Sequence, residues 1–299
     1  MAWFAFEWAS LLLLNARSQA SGRYQRESGA QAESPPRGSL KLPLRTRGIG
    51  SCRSRKPVGV THLMNLIGLH TESILARVAA AAVPPRVPTI RQSLFIGGLG
   101  FGLVGLAAFA VWAVGGKALT QAVGEPGLYA LCALVFIGLA GLVFGQLVIG
   151  PGGTVRIYGL FTLAFTAYSV VWCAAWFGLR GTLAAEVVGA VLGAAAMAGV
   201  LAWGFGAGRE FLRVAAVLIL LNALGYFLGE VWWRWLPGAE GEQWLGNLLN
   251  RPQRKMAAML GWGVIFGGFF GAGVGYAIYY CQHEVRARLQ TGIPLKVGG

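Results

Sequence analysis

Residues 260–281 read LGWGVIFGGFFGAGVGYAIYYC, twenty-two residues with no charge and no proline. A bilayer core is about 30 Å thick, and a helix needs about 20 apolar residues to cross it. This run is long enough. It does not alternate with period two over about ten residues, as a barrel strand would. Backbone groups in lipid must bond within their own structure, so a continuous apolar run of this length is expected to be a helix.

Working outward, five more runs meet the same test: 94–114, 128–149, 157–178, 184–204 and 214–236. Turn residues and charges separate them, at Lys117 to Pro126, Pro151 to Arg156, Arg180-Gly181 and Gly206 to Arg213. The sequence predicts an all-α fold, a polytopic transmembrane bundle of about six spans over residues 94–281. Composition agrees. Of 299 residues, 56% are hydrophobic and only 12% charged, against about 25% charged in soluble domains. Trp172, Trp176, Trp203, Trp232, Trp233, Trp235 and Tyr279 fall near span ends, where amphipathic rings favour the interface.

Outside the spans the chain changes character. Residues 1–63 hold ten Lys/Arg and three Glu. They are rich in Arg, Ser, Gly and Pro, too poor in large apolar groups to offset ordering entropy, and are expected to be a disordered basic extension. The apolar residues 1–14 lack a basic leader, and Arg17, Arg23 and Arg26 follow them, so a secretory signal is not expected. Organised sequence begins at Met64, an alternative start. Residues 64–93 place Leu66, Ile67, Ile74, Leu75 and Val78 near helical spacing and predict an amphipathic, interfacial segment. Residues 282–299 are a short basic tail.

Net charge is +14. Lys and Arg flanking the spans favour, nine against six, the side bearing both ends, so both termini are expected in the cytoplasm. The Arg-over-Lys, Ala- and Gly-rich composition points to a bacterial cytoplasmic membrane. The lipid bilayer is the expected partner, and nucleic acid is not an expected one.

The last span carries Gly263, Gly267, Gly271 and Gly275, a glycine every fourth residue and so one smooth ridge. Such a ridge lets a second helix approach closely. It serves either packing inside the bundle or an interface with a second copy or another membrane protein. Gly98/Gly102, Gly141/Gly145, Gly189/Gly193 and Gly225/Gly229 repeat the pattern, which favours internal packing. The first and fourth spans also match at an offset of 91 residues, through Gly98, Gly102, Ala107, Trp112 and Gly115 against Gly189, Gly193, Ala198, Trp203 and Gly206. Two three-helix units of opposite topology would give such a match, as in many transporters. The abundance of Gly and Ala supplies much of it by chance.

Ionisable residues inside a span are costly and therefore informative. Glu186 and Glu230 both lie within apolar runs, and Arg234 follows Glu230 by four residues, on the same helix face. The functional reading is a cation or proton site lined further by Asn222, Tyr226, Gln146, Thr162, Thr166 and Ser169. The alternative is a pair of hydrated carboxylates near span ends, with Arg234 neutralising Glu230.

Catalytic signatures are missing. All eleven acids are Glu, which excludes every site type that requires Asp. His62, His70 and His283 lie outside the spans, Cys52, Cys132, Cys173 and Cys281 are scattered, and HExxH, GxSxG and the P-loop motif do not occur. No cofactor and no metal are expected. The leading expectation is a non-enzymatic structural or interaction component of a membrane; the alternative is a small transporter or channel using Glu186 and Glu230.

Overall fold

The computed structural model describes residues 68–82 and 84–291. The basic extension 1–63 and the Met64 start lie outside these residues. Helices are named in chain order: α1 Thr71–Ala79, α2 Ile90–Gly145, α3 Gly153–Gly178, α4 Leu183–Gly204, α5 Phe211–Trp235, α6 Ala239–Leu245, α7 Arg251–Cys281 and α8 His283–Thr291. Among the described residues there is no strand. Five helices are long and apolar enough to cross a membrane: Ile90–Glu125, Gly153–Gly178, Leu183–Gly204, Gly208–Trp235 and Arg251–Cys281. A shorter apolar helix, Ala130–Gly145, stands second in chain order, where the sequence placed a sixth full span.

The two unequal limbs of α2 refine the expected second span. Gly124 adopts φ 72°, ψ 171°, a conformation that breaks the helix and that side chains resist. The first limb, Ile90–Glu125, has 36 residues, about 54 Å at 1.5 Å per residue, and overshoots the bilayer core. The limb after it stops at Gly145, and residues 146–150 form a turn where the sequence suggested more helix. Gln282 is responsible. Its side chain accepts from the Ile149 N–H (2.8 Å) and donates to the carbonyls of Leu147 and Ile278 (3.0 Å each), so the turn's polar groups are satisfied without a helix.

Helix ends follow local chemistry. Thr89 with Gln92, and Asn250 with Gln253, form reciprocal capping boxes at the starts of α2 and α7. Just past the end of α4, Gly206 is left-handed (φ 70°) and the Ala207 N–H reaches back to the Ala202 carbonyl at 2.7 Å, a left-handed helix stop.

The near end of the bundle holds the starts of α2, α3 and α5 and the ends of α4 and α7; the far end holds Gly124, α6 and the start of α7. Helix α7 packs along α2 on one side and α5 on the other, while α3 packs on α4 and α4 on α5. The middle is aromatic. Phe101 meets Phe136 edge-on at 4.7 Å between centroids and lies 5.5 Å from Phe270, which Tyr168 approaches at 5.6 Å. Large apolar side chains also cover the outside: Phe95, Leu103, Leu134 and Val231 are each more than half exposed. A surface that is apolar all round is what a lipid solvent selects and water does not. The chain is an integral membrane protein.

Helix α1 closes the near end. Ile74 and Leu75, read from sequence as an interfacial stripe, are fully buried within the protein, not presented to lipid. Helix α8 lies beside it, held by Arg288, which bonds Glu72 (2.7 Å) and Glu284 (2.6 Å). The first part of the basic C-terminal tail is therefore helical.

Candidate functional site

Two groups of sequence-singled residues find their places. The first is the glycine ridge. Ser93, Gly97, Phe101 and Gly105 of α2 oppose Gly275, Gly271, Gly267 and Gly263 of α7, each four-residue step along one helix matching a step back along the other. The contact is backbone on backbone: a Cβ at Gly267 would lie 2.6 Å from the Phe101 carbonyl oxygen, and one at Gly263 would lie 2.9 Å from that of Gly105. The ridge is thus covered by the same chain. The other glycine pairs also face neighbours within it. Gly98 and Gly102 lie on α7, Gly189 and Gly193 on Trp172 and Tyr168, Gly225 and Gly229 on Phe266 and Trp262, and Gly141 and Gly145 on Tyr158 and Thr154.

The second group is polar. Asn222, Tyr226, Glu230 and Arg234 follow at four-residue intervals on α5, so they form one line from mid-helix to the far end. Asn222 is fully buried. It donates to the Ala190 carbonyl (3.0 Å) on α4 and accepts from the Tyr168 hydroxyl (3.3 Å) on α3, tying three helices together. Tyr226 is buried one turn further out. Next comes Glu230, partly exposed and bonded to Arg234 at 2.8 Å, with Arg234 reaching outward at 72% side-chain exposure. From the first turn of α4, half-buried Glu186 comes within electrostatic range of Glu230, Arg234 and Tyr226.

The sequence left open whether Glu186 and Glu230 meet. The fold sets all three toward the far end, with Glu186 in electrostatic range of the Glu230–Arg234 pair. Asn222 and Tyr226 share their line on α5, while Ser169 is half-buried on α3. Gln146 is at the near end and bonds its own helix through Leu142, Thr162 bonds the Tyr158 carbonyl of its own helix, and Thr166 is exposed.

Sequence reasoning missed the roles of three residues, one of them Trp172, which it read as a ring at the membrane interface. Trp172 is buried, packs under Gly189 one turn from Glu186, and its indole N–H has no acceptor. Buried Arg254 donates to the Leu249 carbonyl (3.0 Å) and pairs with Glu242 (3.2 Å), fastening α7 to the α6 loop. Gln282 makes the turn described above. A lone Trp, Arg or Gln near a span end has no periodic signal, so nothing local could have marked these contacts. Cys132 and Cys281 are buried free thiols, and among the described residues no three His, Cys, Asp or Glu gather as metal ligands.

No family model matches the chain, and comparison with curated proteins and with solved structures found no match to either.

Proposed function

We propose that this integral membrane protein acts as a non-enzymatic structural or interaction component of its membrane. The α2–α7 contact carries the reading. Four successive backbone-on-backbone contacts, with aromatic rings filling the next layer, make a rigid body rather than one that opens. The bilayer is its first partner. A membrane-protein partner or second copy would dock on the outward apolar faces, because α2 already occupies the glycine ridge. Reconstitution into vesicles loaded with a pH-sensitive dye tests the reading. A structural component leaves proton and cation permeability at the level of empty vesicles, and flux well above that level overturns it.

One observation favours a second reading, a small proton- or cation-coupled transporter. Glu186 and Glu230 lie within electrostatic range of each other beyond buried Tyr226 and Asn222, so a polar line runs from the far end to mid-helix. The pairing order of the glycines adds to it: those of the first pass lie on the sixth, and those of the fourth lie on the third, as exchange of two inverted halves would require. Under this reading Glu186→Gln or Glu230→Gln abolishes a pH-dependent flux that the parent protein shows. Under the leading reading neither substitution changes permeability.

A further inference from the structure

A group of hydrogen-bond donors at the near end has no acceptor. Arg77 of α1 gives one Nη1 proton to the Gly68 carbonyl, but its Nε and Nη2 are buried and unpartnered. The charged group that acts on it is another guanidinium, Arg156, in the first turns of α3. Burial and that like charge push the Arg77 guanidinium below the usual arginine range, the mark of a cation held without a counter-charge. Glu72, on the same short helix, is engaged with Arg288.

The loop between α2 and α3 joins this pair. A Cβ on Gly150 would lie 3.1 Å from Val78 and 3.8 Å from Ile74, so the loop sits against the helix that carries Arg77. Gly150 (φ +88°) and Gly152 (φ +71°) are left-handed, and α3 begins with no side-chain cap. Its first N–H groups lack intrahelical acceptors and carry the positive end of the helix dipole. Space above Gly152 is open.

We infer that Arg77, Arg156 and the amino end of α3 form a binding site for a phosphate-bearing anion, supplied by a phospholipid headgroup at the near membrane surface. Two guanidiniums and a helix N-terminus suit phosphate oxygens, which accept several charge-assisted bonds at once. Basic pockets between membrane helices hold lipid headgroups in this manner. The anion satisfies the orphan Arg77 donors and screens Arg77 from Arg156.

The full chain in detergent, titrated with phosphatidylglycerol and with phosphatidylcholine and read by native mass spectrometry and thermal melting, tests this site. Phosphatidylglycerol should be retained about tenfold more strongly and raise the melting temperature. Arg77→Gln and Arg156→Gln should each lose most of that preference, while Arg86→Gln, at an exposed position, keeps it. Each variant is first melted without anion. The lipid-induced rise is read against each variant's own melt, which separates lost binding from lost folding. Inorganic phosphate is the second probe. If it displaces the lipid, the site takes phosphate from either source; if it does not, the headgroup is the ligand. Equal retention of both lipids by the parent protein together with no response to phosphate, or full retention by both arginine variants, overturns the proposal.

Discussion

The carbonyl oxygen of Phe101 lies against the α-carbon of Gly267, where a methyl group would come within 2.6 Å of it. One residue along, a methyl on Gly268 would approach nothing nearer than the Gly98 carbonyl, at 3.9 Å. Adjacent glycines in one sequence motif therefore have unequal roles. Gly267→Ala is expected to cost about 1–3 kcal/mol through overpacking, and Gly268→Ala close to nothing. Denaturation of the two variants in mixed micelles compares them, and equal losses would remove close approach as the reason for the ridge.

Gln282 should be the most sensitive polar residue at the near end. It meets two backbone groups of the turn and one of its own helix, and it is buried. Replacement by Leu leaves the Ile149 N–H and the Leu147 carbonyl without partners, at about 1–3 kcal/mol for each buried group left unpaired. Hydrogen exchange at the Ile149 amide gives a local readout, expected to quicken strongly in Gln282→Leu while amides in mid-α7 change only with global stability.

The Tyr168–Asn222 bond should couple α3 to α5 weakly. Hydrogen bonds between membrane helices average about 0.6 kcal/mol in double-mutant cycles. A cycle of Tyr168→Phe and Asn222→Leu should therefore give a coupling of that order. A value near zero would mean that the 3.3 Å contact contributes nothing, and a value of several kcal/mol would mean that the pair sits in a larger network.

Acid should destabilise the near end through His70. Burial lowers the pKa of this imidazole, whose ring sits over Gly206. The folded state then binds a proton less readily than the unfolded chain. Stability is full above the ordinary histidine value of about 6.5 and is lost as pH falls from there through the lower folded value. Melting temperature should drop on acidification across that window, and His70→Gln should flatten the drop. An unchanged slope in the variant would place the pH dependence elsewhere.

How far the sequence reached differs between the two kinds of site residue. Gly263, Gly267, Gly271 and Gly275 declared a flat helix face because four-residue spacing is written along the chain. Their partner was not written there, since it lies more than 150 residues away in Ser93 to Gly105. Glu186 and Glu230 stood out because charge in an apolar run is costly. That they come within electrostatic range of each other depends on the rotation of α4 and α5 about their own axes, which single-sequence hydropathy does not encode.

By itself the sequence determined that this is an all-helical membrane protein with about six apolar passes, because transfer into lipid is close to a sum over residues along a run. Tertiary structure alone decided which helix covers the glycine ridge, that the second pass stops at Gly145 under the hold of Gln282, and that Glu186, Glu230 and Arg234 share one end. Those outcomes depend on packing between segments distant in sequence. In lipid, where apolar burial no longer discriminates between helix faces, close fit and a few hydrogen bonds choose the arrangement.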